Sequence, residues 1–187
     1  KPVNKFIGHS VARREDVALL KGQGRYVDDV RFPGMNYAAV LRSPYGHARI
    51  ERIDASAARA HPEVIGVLTF QDIEGQIGSI RPNWVVGDSK IPDHPVLASD
   101  TVRYVGESVA FVVATSRQAA ADALELIDVS YTQLEAVVDA ERALEATATQ
   151  LHENVPGNLI GVFQVGGGDY REAAKSADKI VKIKLIN

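Results

Sequence analysis

The chain reads as α+β, with a mixed sheet and short helices on one face, and three observations carry that prediction. Strand-like runs of alternating or β-branched residues recur along most of its length. Helical patterns are short, and they do not alternate strictly with the strands. Glycine and proline punctuate the intervals between the runs. At 187 residues, 45% hydrophobic and 24% charged, the chain fits one domain, or one domain with part of a second. That length buries a core without covalent staples.

Residues 17–21 (VALLK) form a short helix, with Asp16 as N-cap and Gly22 as its stop. Phe32, Pro33 and Gly34 spell a turn. Tyr37–Arg42 is a buried strand, and 49–53 alternates like a half-buried one. Asp54 caps a short helix over 55–60. Val64–Thr69 is a strand, and 70–75 a helical turn. Residues 75–95 hold three glycines and three prolines and little periodicity, so they form a long irregular loop, the kind that carries contacts. Strands follow at 102–104 and Ser108–Ala114, with Gly106 as a turn or bulge between them. Ser116 caps the clearest helix, 118–127, which gathers Ala119, Ala120, Ala123, Leu124 and Ile127 on one face. Residues 128–131 return as a strand, Asp139 caps 141–146, and ATATQ, 146–150, acts as a linker. Residues 159–165 predict a strand, GGGD a turn, 170–177 a helix. The final stretch, 179–186, alternates Ile180, Lys182, Lys184 and Ile186 against Val181, Ile183 and Leu185.

Composition removes several function classes. A net charge of -3 predicts no attraction to nucleic acid or anionic membranes. Arg13, Arg14 and Lys21 are offset by Glu15 and Asp16, as on a solvated helix face. The chain has no cysteine, so disulfides, thiolate catalysis and iron–sulfur ligation within it are excluded. The same fact agrees with a reducing, cytoplasmic setting. Apolar runs stay far below the about 20 residues of a membrane-spanning helix. Lys1 stands where an initiating methionine would, and IVKIKLIN reads as a strand in mid-course. Both are expected of an excerpt from a longer polypeptide.

Motifs for chemistry are sparse. Gly166, Gly167, Gly168 and Asp169 have the strand–glycine–helix layout of a phosphate cradle, but neither nucleotide fingerprint is complete. Asp169 would set a negative charge where the phosphate belongs, so a turn with Asp169 as N-cap is the favoured reading. His9, His47, His61, His94 and His152 form no zinc-type pair. His94 lies with Asp88 and Asp93 in the irregular loop as a surface cluster, and the His152-Glu153 pair has no nucleophile beside it. Ser43 and Ser108 lie in no nucleophile elbow. Arg42, Ser43, Pro44, Tyr45, Gly46 and His47 form the closest contest. A loop after a strand presents such side chains for recognition, while the plainer reading has Arg42 and His47 satisfying backbone carbonyls. Arg42, Tyr45, His47, Arg81 and Trp84 are the interface candidates, because aromatic and arginine side chains dominate hot spots.

Five ordered blocks resemble the large subunit of the molybdenum hydroxylases, the xanthine dehydrogenase, aldehyde oxidase and carbon monoxide dehydrogenase family. They are GRYVDDVRFPG, LRSPYGHARIERID, PVLASDTVRYVGESVAFVVA, LIDVSYTQLEAVVDAERAL, and LHENVPGNL with GGGDYREAAKSAD. In the fourth, Glu135 stands where the family commonly has proline. The resemblance implies an α/β-hammerhead domain over 20–146, preceded by an extension, 1–19, and followed by the start of the molybdopterin-binding region, 147–187. It implies an oxidoreductase that inserts oxygen from water into a purine, aldehyde, N-heterocycle or carbon monoxide. Molybdenum–molybdopterin and the catalytic base would lie further along the polypeptide. Iron–sulfur clusters and FAD would sit on partner domains or subunits. No catalytic, cofactor or metal residue is assigned within this chain, Glu107 included, and the fragment is expected to be inactive alone. The alternative is a free-standing, non-enzymatic interaction module of the same fold.

Overall fold

The computed structural model describes residues 6–83, 85, 87–163 and 166–185. Six strands and five helices follow in the order α1 (Asp16–Leu20), β1 (Tyr37–Arg42), β2 (Ala48–Asp54), α2 (Ser56–Arg59), β3 (Val64–Thr69), α3 (Phe70–Ile73), β4 (Thr101–Val102), β5 (Ser108–Ala114), α4 (Arg117–Leu124), β6 (Asp128–Gln133) and α5 (Tyr170–Lys175). Short 3-10 turns occupy Val27–Asp29, Arg142–Leu144 and Pro156–Asn158.

The strands form two three-stranded sheets, ordered β1-β5-β3 and β4-β2-β6. Every pairing among the described residues is antiparallel, so the α+β class holds while the expected single mixed sheet does not. The difference has a physical source. α2, α3 and α4 each join strands of different sheets, while α1 precedes β1 and α5 follows β6, so none serves as a parallel crossover. β5 occupies the centre of its sheet because VAFVVA is apolar on both faces. Ala110 and Val112 pack with Ala58, Val67, Ala123 and Ile127, beneath α2 and α4. Val109, on the opposite face, packs with Ala48, Ala98 and Val102 of the second sheet's side. One strand thereby joins the two cores. Alanine dominates the contact with α4, and its small side chain lets the helix lie close to the sheet.

Local signals set most boundaries. Ser116 Oγ accepts from the Ala119 amide at 3.1 Å and starts α4, which ends at Leu124, before Ile127. Asp54 accepts from the Ser56 amide at 3.0 Å but is not the cap: Ala55 holds the N-cap position of α2, which is shorter than the expected 55–60. Thr69 and Asp72 form a reciprocal capping box on α3. Asp139 accepts from the Glu141 and Arg142 amides at 2.9 and 3.1 Å, but the turn it caps is a single 3-10 turn. Asp16 is a correction. It lies inside α1, and its carboxylate reaches back to Arg13. Gly34 takes φ +75° and Met35 N–H closes the turn on Phe32 at 3.1 Å, as the Phe-Pro-Gly signal requires.

Two expected strands are absent among the described residues. Residues 159–163 and 179–185 carry no ladder. Alternation makes a segment competent for a sheet, but a strand exists only with a neighbour to share hydrogen bonds, and neither segment has one here.

Candidate functional site

The bulge between Leu41 and Arg42 turns β1 out of register with β5 and starts the Ser43–His47 turn. Ser43, buried, exchanges backbone hydrogen bonds with the Gly106–Glu107 turn: its amide donates to Glu107 O and its carbonyl accepts from the Gly106 amide, both at 2.8 Å. Its Oγ donates to Tyr45 O and accepts from the Tyr45 amide at 3.0 Å, which locks the turn internally. Arg42 Nη1 donates to Gly106 O at 2.8 Å. His47, only 6% exposed, donates from Nδ1 to Glu135 O at 2.7 Å, which fixes a proton on that nitrogen. Tyr45 packs edge-on against Tyr131 with ring centroids 5.2 Å apart. Burial, and then Tyr45, raise the Tyr131 hydroxyl above the ordinary tyrosine range. Of the two readings of this turn, the plainer one is observed: Arg42 and His47 satisfy backbone carbonyls. Arg81 is exposed in the loop. Trp84 lies outside the described residues.

Beside this turn lies a group that sequence reading did not assemble. Glu107, 4% exposed, accepts from the Arg103 amide through Oε2. The Arg103 guanidinium donates from Nε to Leu151 O at 2.7 Å and from Nη1 to Thr101 O at 3.1 Å. Tyr104 Oη and His94 Nε2 are 3.0 Å apart, with the two rings nearly perpendicular. Burial first, and the Glu107 carboxylate second, raise the Tyr104 hydroxyl above its usual range. His152 is held below the ordinary imidazole value by burial, then by Arg103 and His94, while Asp93 opposes them weakly.

These contacts stitch the irregular loop to the segment after the hammerhead. Ile80 N–H donates to His94 O at 2.7 Å, Lys90 N–H to Ile160 O at 2.8 Å, and Asn154 Nδ2 to Ile91 O at 3.0 Å. Asn158, at φ +56°, donates from Nδ2 to Ala143 O and Thr149 O, and accepts from the Leu151 amide through Oδ1. Residues 147–158 are therefore tied down rather than a free linker. The only advance signals for this were Asn158 after Pro-Gly and Arg103 four residues before Glu107. Neither has a periodicity that marks it.

The chemistry this arrangement supports is positioning. Among the described residues no group of three or more His, Cys, Asp or Glu side chains could hold a metal ion. The GGGD turn does not fit a phosphate: Asp169 already caps α5 through the Glu172 amide at 3.0 Å, and α5 is only six residues long. Its carboxylate occupies the position an anionic cofactor group would need. No described helix is long and apolar enough to cross a membrane.

Residues 21–135 match the family model for the aldehyde oxidase and xanthine dehydrogenase a/b hammerhead domain. The nicotine 6-hydroxylase large subunit of Paenarthrobacter nicotinovorans is 38% identical over 175 residues, covering 94% of this chain and 21% of that protein. The carbon monoxide dehydrogenase large chain of Afipia carboxidovorans is 41% identical over 149 residues, covering 80% of this chain and 18% of that one. Among solved structures, quinoline 2-oxidoreductase from Pseudomonas putida 86 matches with TM-score 0.70 and 45% identity, over 75% of this chain and 18% of that one. Aldehyde oxidoreductase from Desulfovibrio gigas matches with TM-score 0.72 and 26% identity, over 89% and 19%. The chain spans about a fifth of the length of these relatives. With the fold, the ordered blocks and the family model in agreement, the chain belongs to the aldehyde oxidase and xanthine dehydrogenase family, of which residues 21–135 are the α/β-hammerhead domain.

Proposed function

We propose that this chain is the assembly domain of a larger molybdenum-dependent hydroxylase acting on a purine, aldehyde, N-heterocycle or carbon monoxide. The observation that carries the reading is coverage. Relatives named as nicotine 6-hydroxylase and carbon monoxide dehydrogenase large subunits align with most of this chain and with about a fifth of themselves. In this reading the molybdenum cofactor supplies the redox chemistry and is held by residues outside the chain. Iron–sulfur clusters and FAD sit on partner domains or subunits, and the enzyme is cytoplasmic. The domain division is 1–19, 20–146 and 147–187, the last opening the cofactor-binding region.

The hammerhead's own task is to fix geometry. Asn154 and the Lys90 amide hold the 151–160 segment against the irregular loop, Arg103 ties it to the turn before β5, and Asn158 braces it on Ala143 and Thr149, and together these bonds set the direction in which the next region leaves. The exposed side chains of that loop, with Tyr104 and Val105, form the contact face. Arg81, Trp84 and Tyr45 remain the proposed contact residues, while Arg42 and His47 act indirectly by holding the turn in shape.

The test is to express the polypeptide that continues past Asn187 with its partner subunits. Molybdenum content and dye reduction with N-heterocycles, aldehydes, purines and carbon monoxide are then measured. Stoichiometric molybdenum and turnover in the complex, with neither in the 187-residue chain, are expected. Metal and turnover in the 187-residue chain alone would overturn the assignment. Trp84→Ala should weaken association with the rest of the enzyme by roughly 2 kcal/mol if Trp84 is an anchor.

A further inference from the structure

We propose that Arg103, His94 and His152 form a binding site for a tetrahedral oxyanion, either a free sulfate or phosphate ion or the phosphate ester of a small metabolite. Three separate segments bring these side chains together. Arg103 Nε donates to Leu151 O at 2.7 Å, so the next residue, His152, lies beside the guanidinium. Tyr104, the neighbour of Arg103 in the chain, bonds His94 at 3.0 Å and holds that second imidazole at the same turn. Arg103, His94 and His152 are each partly exposed, so a solute reaches all three.

The charges of this cluster are one-sided. The Arg103 guanidinium bonds two neutral carbonyls, Leu151 O and Thr101 O. Among the described residues neither it nor His94 nor His152 enters an ion pair. The carboxylates nearby leave that charge unanswered. Glu107 is committed to the Arg103 amide, Glu153 is exposed, and Asp93 is the weakest influence on the His152 ring. Burial, then Arg103 and His94, hold that ring below its ordinary value, as expected of an imidazole that faces cations without a counter-ion. An anion seated among the three supplies the missing charge and favours the protonated ring. The donors also select its shape. Nε and Nη1 of Arg103 are in use, so the guanidinium meets a ligand through Nη2 rather than with the two-pronged grip that suits a carboxylate. Single donors from three segments suit an anion with several acceptor oxygens.

Sulfate is the probe, because it stays a dianion while imidazoles titrate. The His152 titration is followed by proton NMR in sodium sulfate and in sodium chloride of equal ionic strength, with the ring signals assigned from His94→Gln and His152→Gln. Sulfate should raise the His152 midpoint by about one pH unit over chloride, which is about a tenfold preference of the anion for the protonated site. The His94 signal should move with sulfate, and the His61 signal should respond to both salts alike. Arg103→Gln removes the permanent cation. Its His152 midpoint should rise in chloride, since a repelling neighbour is gone, and sulfate should then add nothing. Should that variant fail to fold, Arg103→Lys, which keeps the charge as a point donor, should retain a reduced sulfate effect. Inorganic phosphate and phenyl phosphate separate the two sources of the ligand. A response to phosphate alone identifies a free ion, and an equal or stronger response to phenyl phosphate identifies an ester. An equal rise in sulfate and chloride would mean screening rather than a site and would overturn the proposal. So would no rise in either salt, or a sulfate effect that survives in Arg103→Gln.

Discussion

Replacing Gly106 by valine tests how the central strand is joined to the Ser43 turn. Gly106 has φ +90°, a region that glycine enters at no cost and a β-branched residue resists. A Cβ built there meets nothing within 4 Å, so the penalty is conformational rather than steric crowding. If the backbone keeps its shape, the strain is of order 1–3 kcal/mol. If it relaxes instead, the Gly106 amide bond to Ser43 O and the Arg42 bond to Gly106 O are at risk, at about 0.5–1.5 kcal/mol each. Both routes give a loss of about 1–3 kcal/mol. Urea denaturation of the two proteins is the assay. With a slope of about 2 kcal/mol/M, the midpoint should fall by about 0.5–1.5 M at unchanged slope. Because the surrounding space is open, Gly106→Ala should carry most of the same cost. An unchanged midpoint for both variants, or a valine penalty that alanine does not share, would refute the backbone argument.

Arg103→Ala should cost about 1–3 kcal/mol and speed amide exchange across 151–158 more than in β5, since its guanidinium holds Leu151 O and Thr101 O. Ala123→Leu should destabilise by about 1–3 kcal/mol, because the site is fully buried between α4 and the sheet and offers no room for three more carbons. Asp72 has a carboxyl held below its ordinary value by the Thr69 amide first, with the Thr69 hydroxyl and Arg59 assisting. Its folded value is depressed, so its stabilisation is present above the unfolded value of 3.8 and is lost as pH falls through the folded one. Acid denaturation curves of Asp72→Asn should therefore converge with the parent's at low pH and separate above it.

The local grammar of the chain was legible. Ser116 and Asp169 are the N-caps of α4 and α5, while Asp54 and Asp139 accept amides of their turns from outside the N-cap positions, which Ala55 and Glu141 occupy. The bounds of β1, β3 and β5 follow from runs that end in a polar or turn residue. Sheet order was not legible, because β5 pairs with strands that begin about 70 residues before it and about 40 before it, and hydrophobicity does not record a partner. The stitching of the loop to 151–160 was hidden for a related reason. Its bonds join two irregular segments through backbone groups and one asparagine, Asn154, none of which carries a periodic signal. His94 and His152 share no sequence pattern, and only the fold sets them around Arg103 and Tyr104.

That placement of His152 gives the 151–158 segment a pH response whose sign is fixed. Burial lowers the imidazole's folded value below the unfolded 6.5, with Arg103 and His94 adding to it. Between those two values the unfolded chain binds more protons than the folded one, so stability rises with pH there. Above 6.5 the contribution is fully present. Below it the contribution declines until the folded value is passed. The groups facing the ring are Arg103 and His94, which lower its value, and Asp93, which raises it but is the weakest of the three. His152→Gln removes the titration while keeping a polar side chain. Its denaturation midpoint should therefore change less than the parent's between pH 7.5 and 5.5, with exchange across 151–158 following the same trend. The comparison must be made at several pH values, because a merely structural loss would lower the midpoint equally at all of them. Parallel curves would mean that His152 does not couple protons to this segment, and that Arg103 and the asparagines alone hold it in place.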